Sequence, residues 1–89
     1  MKEAFISYLI DRGYTQYTSQ GMPSTVYQYA KCIGDVMNYE NYYSWQDVVK
    51  NIDRLLSEYD IGGIKERLGQ KRHNSVISVL RRFSEFLHS

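Results

Sequence analysis

The sequence predicts a compact all-α domain of four helices, near residues 2–12, 24–40, 44–59 and 72–88. Apolar side chains recur at spacings of three and four over these four stretches, which is the period of an amphipathic helix. No stretch of useful length alternates apolar and polar residues as a β-strand does. The chain has 89 residues, so we expect a single domain over residues 1–89 with one small core.

Residues that start or stop helices separate the four stretches. Gly13 follows the first, and glycine is common just past a helix end. The pair Pro23-Ser24 precedes the second, where proline is tolerated and serine can cap a free backbone N–H. Ser44-Trp45-Gln46-Asp47 has the form of a capping box. Gly62-Gly63 indicates a turn after the third helix, and residues 64–68 are expected to form one further helical turn.

The apolar positions of the four stretches are expected to form the core. Cys32 lies in the second stretch and is predicted to be a small buried hydrophobe, since a single cysteine excludes an internal disulfide. Gly34 weakens that helix by roughly 1 kcal/mol relative to alanine, so we expect it to permit close packing against a neighbour. The predicted stripes are Phe5 and Leu9, with Tyr8 as a further candidate and Ile6 and Ile10 widening the stripe; Val26, Tyr29, Ala30, Ile33, Val36 and Met37; Trp45, Val48, Val49, Ile52, Leu55, Leu56 and Tyr59; and Val76, Val79, Leu80, Phe83, Phe86 and Leu87.

Nine of the thirteen aromatic residues are tyrosines, which combine an apolar body with a polar tip. Tyr14 or Tyr17 is expected to pin the polar loop that joins the first two helices. Tyr39, Tyr42 and Tyr43 cluster after the second helix. They either cap the rim of the core or form the surface of a small protein–protein interaction module, because tyrosine is enriched at interfaces.

Catalysis, metal binding and membrane insertion find little support in the residues. Neither His73 nor His88 has a partner at metal-ligand spacing on the same helix face, so we expect no cofactor, no metal and no enzyme activity. His73 at a helix start could instead cap the helix or contact a phosphate. No apolar run approaches the roughly 20 residues of a membrane span. The lack of disulfides and of a signal peptide predicts a cytoplasmic location.

The charge is unevenly distributed, although the net charge is only +1. Residues 65–82 hold six basic residues and one acidic residue, whereas residues 1–64 hold five basic and eight acidic ones. A helix start with free N–H groups suits a phosphate, and cations beside it strengthen that preference. The segment therefore predicts weak, salt-dependent binding to double-stranded DNA. Its basic residues are Lys65, Arg67, Lys71, Arg72, Arg81 and Arg82.

The order of these signals resembles the N-terminal core-binding, SAM-like domain of phage integrases and other tyrosine recombinases. The resemblance covers nearly the whole chain and consists of helix starts and apolar stripes rather than catalytic residues. The segments that carry it are Phe5-Ile6-Ser7-Tyr8-Leu9 with Gly13-Tyr14; Ser24-Thr25-Val26-Tyr27-Gln28-Tyr29; Ser44-Trp45-Gln46-Asp47; and residues 75–87, with Leu80-Arg81-Arg82-Phe83-Ser84-Glu85-Phe86-Leu87 at their end.

The resemblance implies a SAM-like orthogonal bundle that forms half of a clamp around duplex DNA during DNA integration or recombination. In the family the second and fourth helices face the DNA. The family's catalytic domain does not follow residue 89, so we expect either a free-standing relative or a piece of a larger recombinase, and no tyrosine is assigned as a nucleophile. By position, the implied DNA contacts are Thr25, Gln28 and Lys31, and then Arg72, His73, Asn74, Ser78, Arg81 and Arg82.

Overall fold

The computed structural model describes residues 1–14 and 25–88, apart from the side chain of His73. Within these ranges the chain is all-helical, which confirms the predicted all-α class, although it forms six helices rather than the four expected. Tyr17, Pro23 and Ser24 lie outside the described residues, and so do the expectations placed on them. The helices are α1 (Lys2–Asp11), α2 (Thr25–Glu40), α3 (Trp45–Lys50), α4 (Ile52–Tyr59), α5 (Glu66–Gly69) and α6 (Lys71–Leu87).

The predicted third helix, 44–59, is divided at Asn51 into α3 and α4. The side-chain amide of Asn51 donates a hydrogen bond to the carbonyl oxygen of Asp47 at 2.8 Å. Such local side-chain bonds compete with the helical backbone ladder. Asn51 has φ −117° and ψ 14°, so it ends α3, and its own carbonyl accepts the N–H of Leu55 at 2.9 Å in α4. The helical turn expected at 64–68 is present as α5, one to two residues later.

Two of the expected helix boundaries are confirmed by their hydrogen bonds. Gly13 has φ +94°, and the N–H of Tyr14 reaches back to the carbonyl of Leu9 at 3.1 Å, which closes α1 in a left-handed turn that favours glycine. At the start of α3, Asp47 accepts the backbone N–H groups of Tyr43 at 3.0 Å and of Ser44 at 3.3 Å, and the capping box with Ser44 is present.

The core lies around α6, which packs against α1, α2, α4 and α5. Phe83 of α6 meets Phe5 of α1 edge-on at 5.1 Å between ring centroids, and Trp45 of α3 lies 5.6 Å from Phe83. No helix in the described ranges has the length and apolar character needed to cross a lipid bilayer. The buried side chains of the core are Phe5, Leu9, Val26, Cys32, Ile33, Val36, Val48, Ile52, Leu55, Tyr59, Val76, Ile77, Val79, Leu80 and Phe83.

The expectation that Gly34 permits close packing is wrong. A Cβ atom built on Gly34 would have no neighbour within 4 Å. The close approach lies instead at Gly69, where a Cβ atom would collide with the main-chain carbonyl oxygen of Tyr59. Gly63 makes a similar approach to the backbone of Ser57 and Glu58. The glycines after α4 therefore let the α5 segment lie directly on the end of α4.

Candidate nucleic-acid interface

The outer side of α6 brings four of the predicted DNA contacts together. Asn74, Ser78, Arg81 and Arg82 recur at spacings of three and four, opposite the buried stripe, and none of them is buried. Ser78 and Arg81 line open clefts on both sides of the helix. One cleft includes Arg82 and Tyr29 of α2, and the other runs past Asn74 to the α4–α5 connection. We call these four residues the α6 face.

The first turn of α6 has an unusual backbone. Arg72 has φ +56° and Asn74 has φ +68°, in the left-handed region that side chains other than glycine rarely adopt. Asparagine tolerates this conformation better than most residues. The N–H of Asn74 still donates to the carbonyl of Gln70 at 2.9 Å, so the turn is closed despite this geometry. Asn74 and Arg72 are both exposed there.

Each arginine of α6 is paired with a carboxylate. Arg72 Nε lies 2.7 Å from Asp35 of α2, Arg81 Nη2 lies 2.6 Å from Asp60 after α4, and Arg82 Nη1 lies 2.9 Å from Glu85 one turn on. The arginine side chains remain 43–51% exposed. The positive charge of α6 is therefore largely balanced by acidic neighbours, but it remains accessible to solvent.

These pairs are reflected in the proton affinities. The hydrogen bond to Asp35 raises the pKa of Arg72. The hydrogen bonds to Glu85 and to the hydroxyl of Tyr14 raise the pKa of Arg82. The pKa of Asp60 lies below its usual value, because it accepts the backbone N–H of Ile61 and the guanidinium of Arg81. Arg82 Nε donates to the hydroxyl of Tyr14 at 2.7 Å, and the Tyr14 ring lies tilted against that of Tyr29 with 5.5 Å between centroids; the loop that Tyr14 was expected to pin lies outside the described residues.

Lys65 belongs to a separate internal network rather than to the α6 face. Its ammonium group binds Glu40 at the end of α2 and lies 3.2 Å from Glu58 of α4. The Glu40 side chain is only 6% exposed and also accepts the Tyr59 hydroxyl at 2.8 Å, while Arg54 lies 3.5 Å away. This cluster ties α2 and α4 to the α4–α5 connection.

Burial and hydrogen bonds shift the pKa values of the groups in this network. Burial alone would raise the pKa of Glu40, but the hydrogen bonds from Lys65 and Tyr59 outweigh it and hold that pKa below its usual value. The bond to Glu40 raises the pKa of Lys65. Burial, and then the same carboxylate, strongly raise the pKa of Tyr59. Lys65 therefore stays protonated, and its ammonium group is occupied by contacts within the fold.

The remaining predicted contacts are more scattered. Arg67 of α5 and Lys71 at the start of α6 are exposed, and neither has a carboxylate within 4.0 Å among the residues that the structure describes. Thr25 and Gln28 are exposed on α2. Lys31 borders a depression with Lys2 and Trp45, and no residue of α6 lines it. The His73 side chain is outside the described part.

The three tyrosines at and just after the end of α2 differ in exposure. Tyr42 is half-buried, and its hydroxyl accepts a hydrogen bond from Arg54 at 2.6 Å, so it caps the core rim. Tyr39 is 37% exposed and Tyr43 is 96% exposed. Ile61 and Ile64, on either side of the glycine pair, are each 83% exposed. The exposure of Ile61 and Ile64 was not anticipated from the sequence.

The acidic partners of the α6 arginines were also missed. The Arg82–Glu85 pair has a local signal, because residues three apart on a helix are neighbours. Asp35 and Asp60 lie 37 and 21 residues from their partners, so no local pattern reveals them. Among the residues described, no group of three or more histidine, cysteine or acidic side chains could hold a metal ion.

In comparisons with known proteins, no family model, no curated protein and no solved structure matches the chain.

Proposed function

We propose that the chain is a non-catalytic DNA-binding module similar to the core-binding domain of tyrosine recombinases, which act in DNA integration and recombination in the cytoplasm. The observation that supports this proposal is the α6 face, where Asn74, Ser78, Arg81 and Arg82 share one exposed side of a helix. Asparagine, serine and arginine are among the side chains that commonly contact phosphate and sugar. The face would lie along a duplex backbone.

The ion pairs of these arginines do not prevent phosphate binding, but they limit its strength. Exposed ion pairs typically contribute about 0–1 kcal/mol, so a phosphate can replace the carboxylate at low cost. Only a few phosphates can be reached from one helix face, and each contributes about −0.9 to the slope of log K against log salt. We therefore expect weak binding with little sequence preference that falls steeply as salt is added.

The test compares two double variants with equal changes in charge. Arg81→Gln with Arg82→Gln removes the cations of the α6 face, while Lys2→Gln with Lys50→Gln removes two exposed cations elsewhere. Fluorescence anisotropy with a labelled duplex should show weaker binding by the arginine variant, with the salt slope reduced by about 2. The lysine variant should remain close to wild type. The absence of wild-type binding at low salt, or equal losses in both variants, would contradict the proposal.

A second candidate, a protein-interaction module, is favoured by the exposure of Tyr43. Its side chain is 96% exposed, and tyrosine is enriched at protein–protein interfaces. NMR titration with duplex DNA separates the two candidates. Amide shifts confined to α6 and its clefts favour DNA binding. If DNA causes no shifts at low salt, the surface around Tyr43 becomes the better candidate.

A further inference from the structure

We propose that Asp35, Asp60 and Glu85 are built-in competitors of DNA phosphates, which attenuate binding by holding the α6 arginines until a duplex displaces them. This inference rests on the proposed DNA-binding function and adds a means of regulating the same site. The three carboxylates come from three places in the chain: α2, the end of α4, and α6 itself. One arginine faces each of them, so all three arginines of α6 are paired, whereas Lys71 has no such partner in the described part of the chain.

In each pair the carboxylate lies at the distance from the guanidinium at which a phosphate oxygen would bind. The guanidinium nitrogens lie 2.7 Å from Asp35, 2.6 Å from Asp60 and 2.9 Å from Glu85. These are the lengths of charge-assisted hydrogen bonds, which arginine forms with carboxylate and phosphate alike. A guanidinium that binds a phosphate oxygen with the same N–H groups must give up its carboxylate. Part of the phosphate binding energy is therefore spent on breaking an existing pair.

The exposure of the pairs shows that they can exchange. The Asp60 and Glu85 side chains are 43% and 49% exposed, and Asp35 is 24% exposed. Water already reaches both members of each pair, so replacing the carboxylate by a phosphate exposes no apolar surface. Glu40, at 6% exposure, shows the contrast, because its bond to Lys65 is part of the packed interior. The α6 pairs are exchangeable, whereas the Glu40 network is structural.

Removing the competing charge should tighten DNA binding. The expected gain is about two- to fivefold for each pair, which corresponds to the usual strength of an exposed ion pair. The test variant is the triple substitution Asp35→Asn, Asp60→Asn and Glu85→Gln. Its matched control replaces three exposed carboxylates outside α6, Glu3→Gln, Asp11→Asn and Asp53→Asn, with the same change in net charge. Thermal melts by circular dichroism establish that both variants are folded.

A tighter complex for the test variant than for the control, measured by anisotropy with the same duplex, supports the inference. Equal affinities would show that only net charge matters and would overturn it. If wild type and both variants all fail to bind at low salt, the proposed function itself fails, which is a separate result. Should the triple variant not fold, Glu85→Gln against Glu3→Gln makes the same comparison with a pair that lies within one helix.

A double-mutant cycle distinguishes competition from simple repulsion of the phosphate. Asp60→Asn is measured both in the wild-type background and with Arg81→Ala. If Asp60 acts by holding Arg81, its neutralisation improves binding only while Arg81 is present. An improvement of the same size in the Arg81→Ala background would mean that the carboxylate merely repels DNA, and the competition mechanism would be rejected.

Discussion

Replacing Gly69 by alanine is expected to destabilise the domain severely, although the change adds one methyl group. Gly69 lies in α5, and a Cβ atom there would overlap the carbonyl oxygen of Tyr59 in the backbone of α4. Neither atom belongs to a side chain that can rotate away. On the other side, the same Cβ would already be in contact with Ile77 of α6 at 3.4 Å. The only relief is for α5 to move away from α4.

The expected loss of stability is large because no side-chain rotation can remove the overlap. Overpacking in a filled interior costs about 1–3 kcal/mol, and a clash between two backbones belongs at or above the upper end of that range. We expect Gly69→Ala to lose about 2–4 kcal/mol, which lowers the melting temperature by about 10–30 °C for a domain of this size. Gly34→Ala is the matched control, because the methyl group there meets open space in the interior of α2. It should gain about 0.5–1 kcal/mol from helix propensity.

The assay is thermal and urea denaturation followed by circular dichroism at the helix wavelengths. The two substitutions are chemically identical, so opposite signs of their effects would report directly on the packing around each glycine. The reasoning would be refuted if Gly69→Ala melted at or above the wild-type temperature. A loss of stability in Gly34→Ala would show that α2 packs more closely than described.

Three further predictions concern the polar contacts of the fold. Folding lowers the pKa of Glu40 below its ordinary value of 4.5, so its stabilisation is complete above that pH and is lost as the pH falls through the lower folded pKa. Glu40→Gln should therefore flatten the acid side of the stability profile in urea titrations, and an unchanged acid side would contradict the lowered pKa of Glu40. Tyr59→Phe removes the hydroxyl bonded to Glu40 and should cost about 1–2 kcal/mol in urea denaturation; a neutral result would contradict the 2.8 Å bond. Asp47→Ala removes the cap of α3 and should cost about 0.5–2 kcal/mol, against no measurable change for the exposed Gln46→Ala.

The helices were predictable because each has a local cause. The stripe from Val76 to Leu87 needs only its own spacing to indicate a helix and its buried side. Gly13 and Asp47 act on backbone groups a few residues away, so their roles as stop and cap signals were visible in the sequence and are confirmed. Asn51 was not anticipated, because the apolar spacing continues through it and only its side-chain bond to Asp47 reveals the break.

The charge pattern was predictable only in part, because contacts between residues distant in sequence decide which cations can bind a partner. Six cations between residues 65 and 82 indicate a basic surface when counted along the chain. Folding brings Asp35 and Asp60 against two of them and places Lys65 between Glu40 and Glu58. Local composition records how many charges a segment has. It does not record which of them remain available to a partner.

The position of Phe83 has a consequence for synthesis of the domain. Its ring packs against both Phe5 of α1 and Trp45 of α3, and α6 is the last of these helices to be translated. The apolar sides of the earlier helices therefore emerge from the ribosome before the helix that covers them. A nascent chain stalled before Val76 should be sensitive to protease and bound by chaperones. Protection should appear only after Phe83 has left the exit tunnel, because the core cannot close before α6 has emerged.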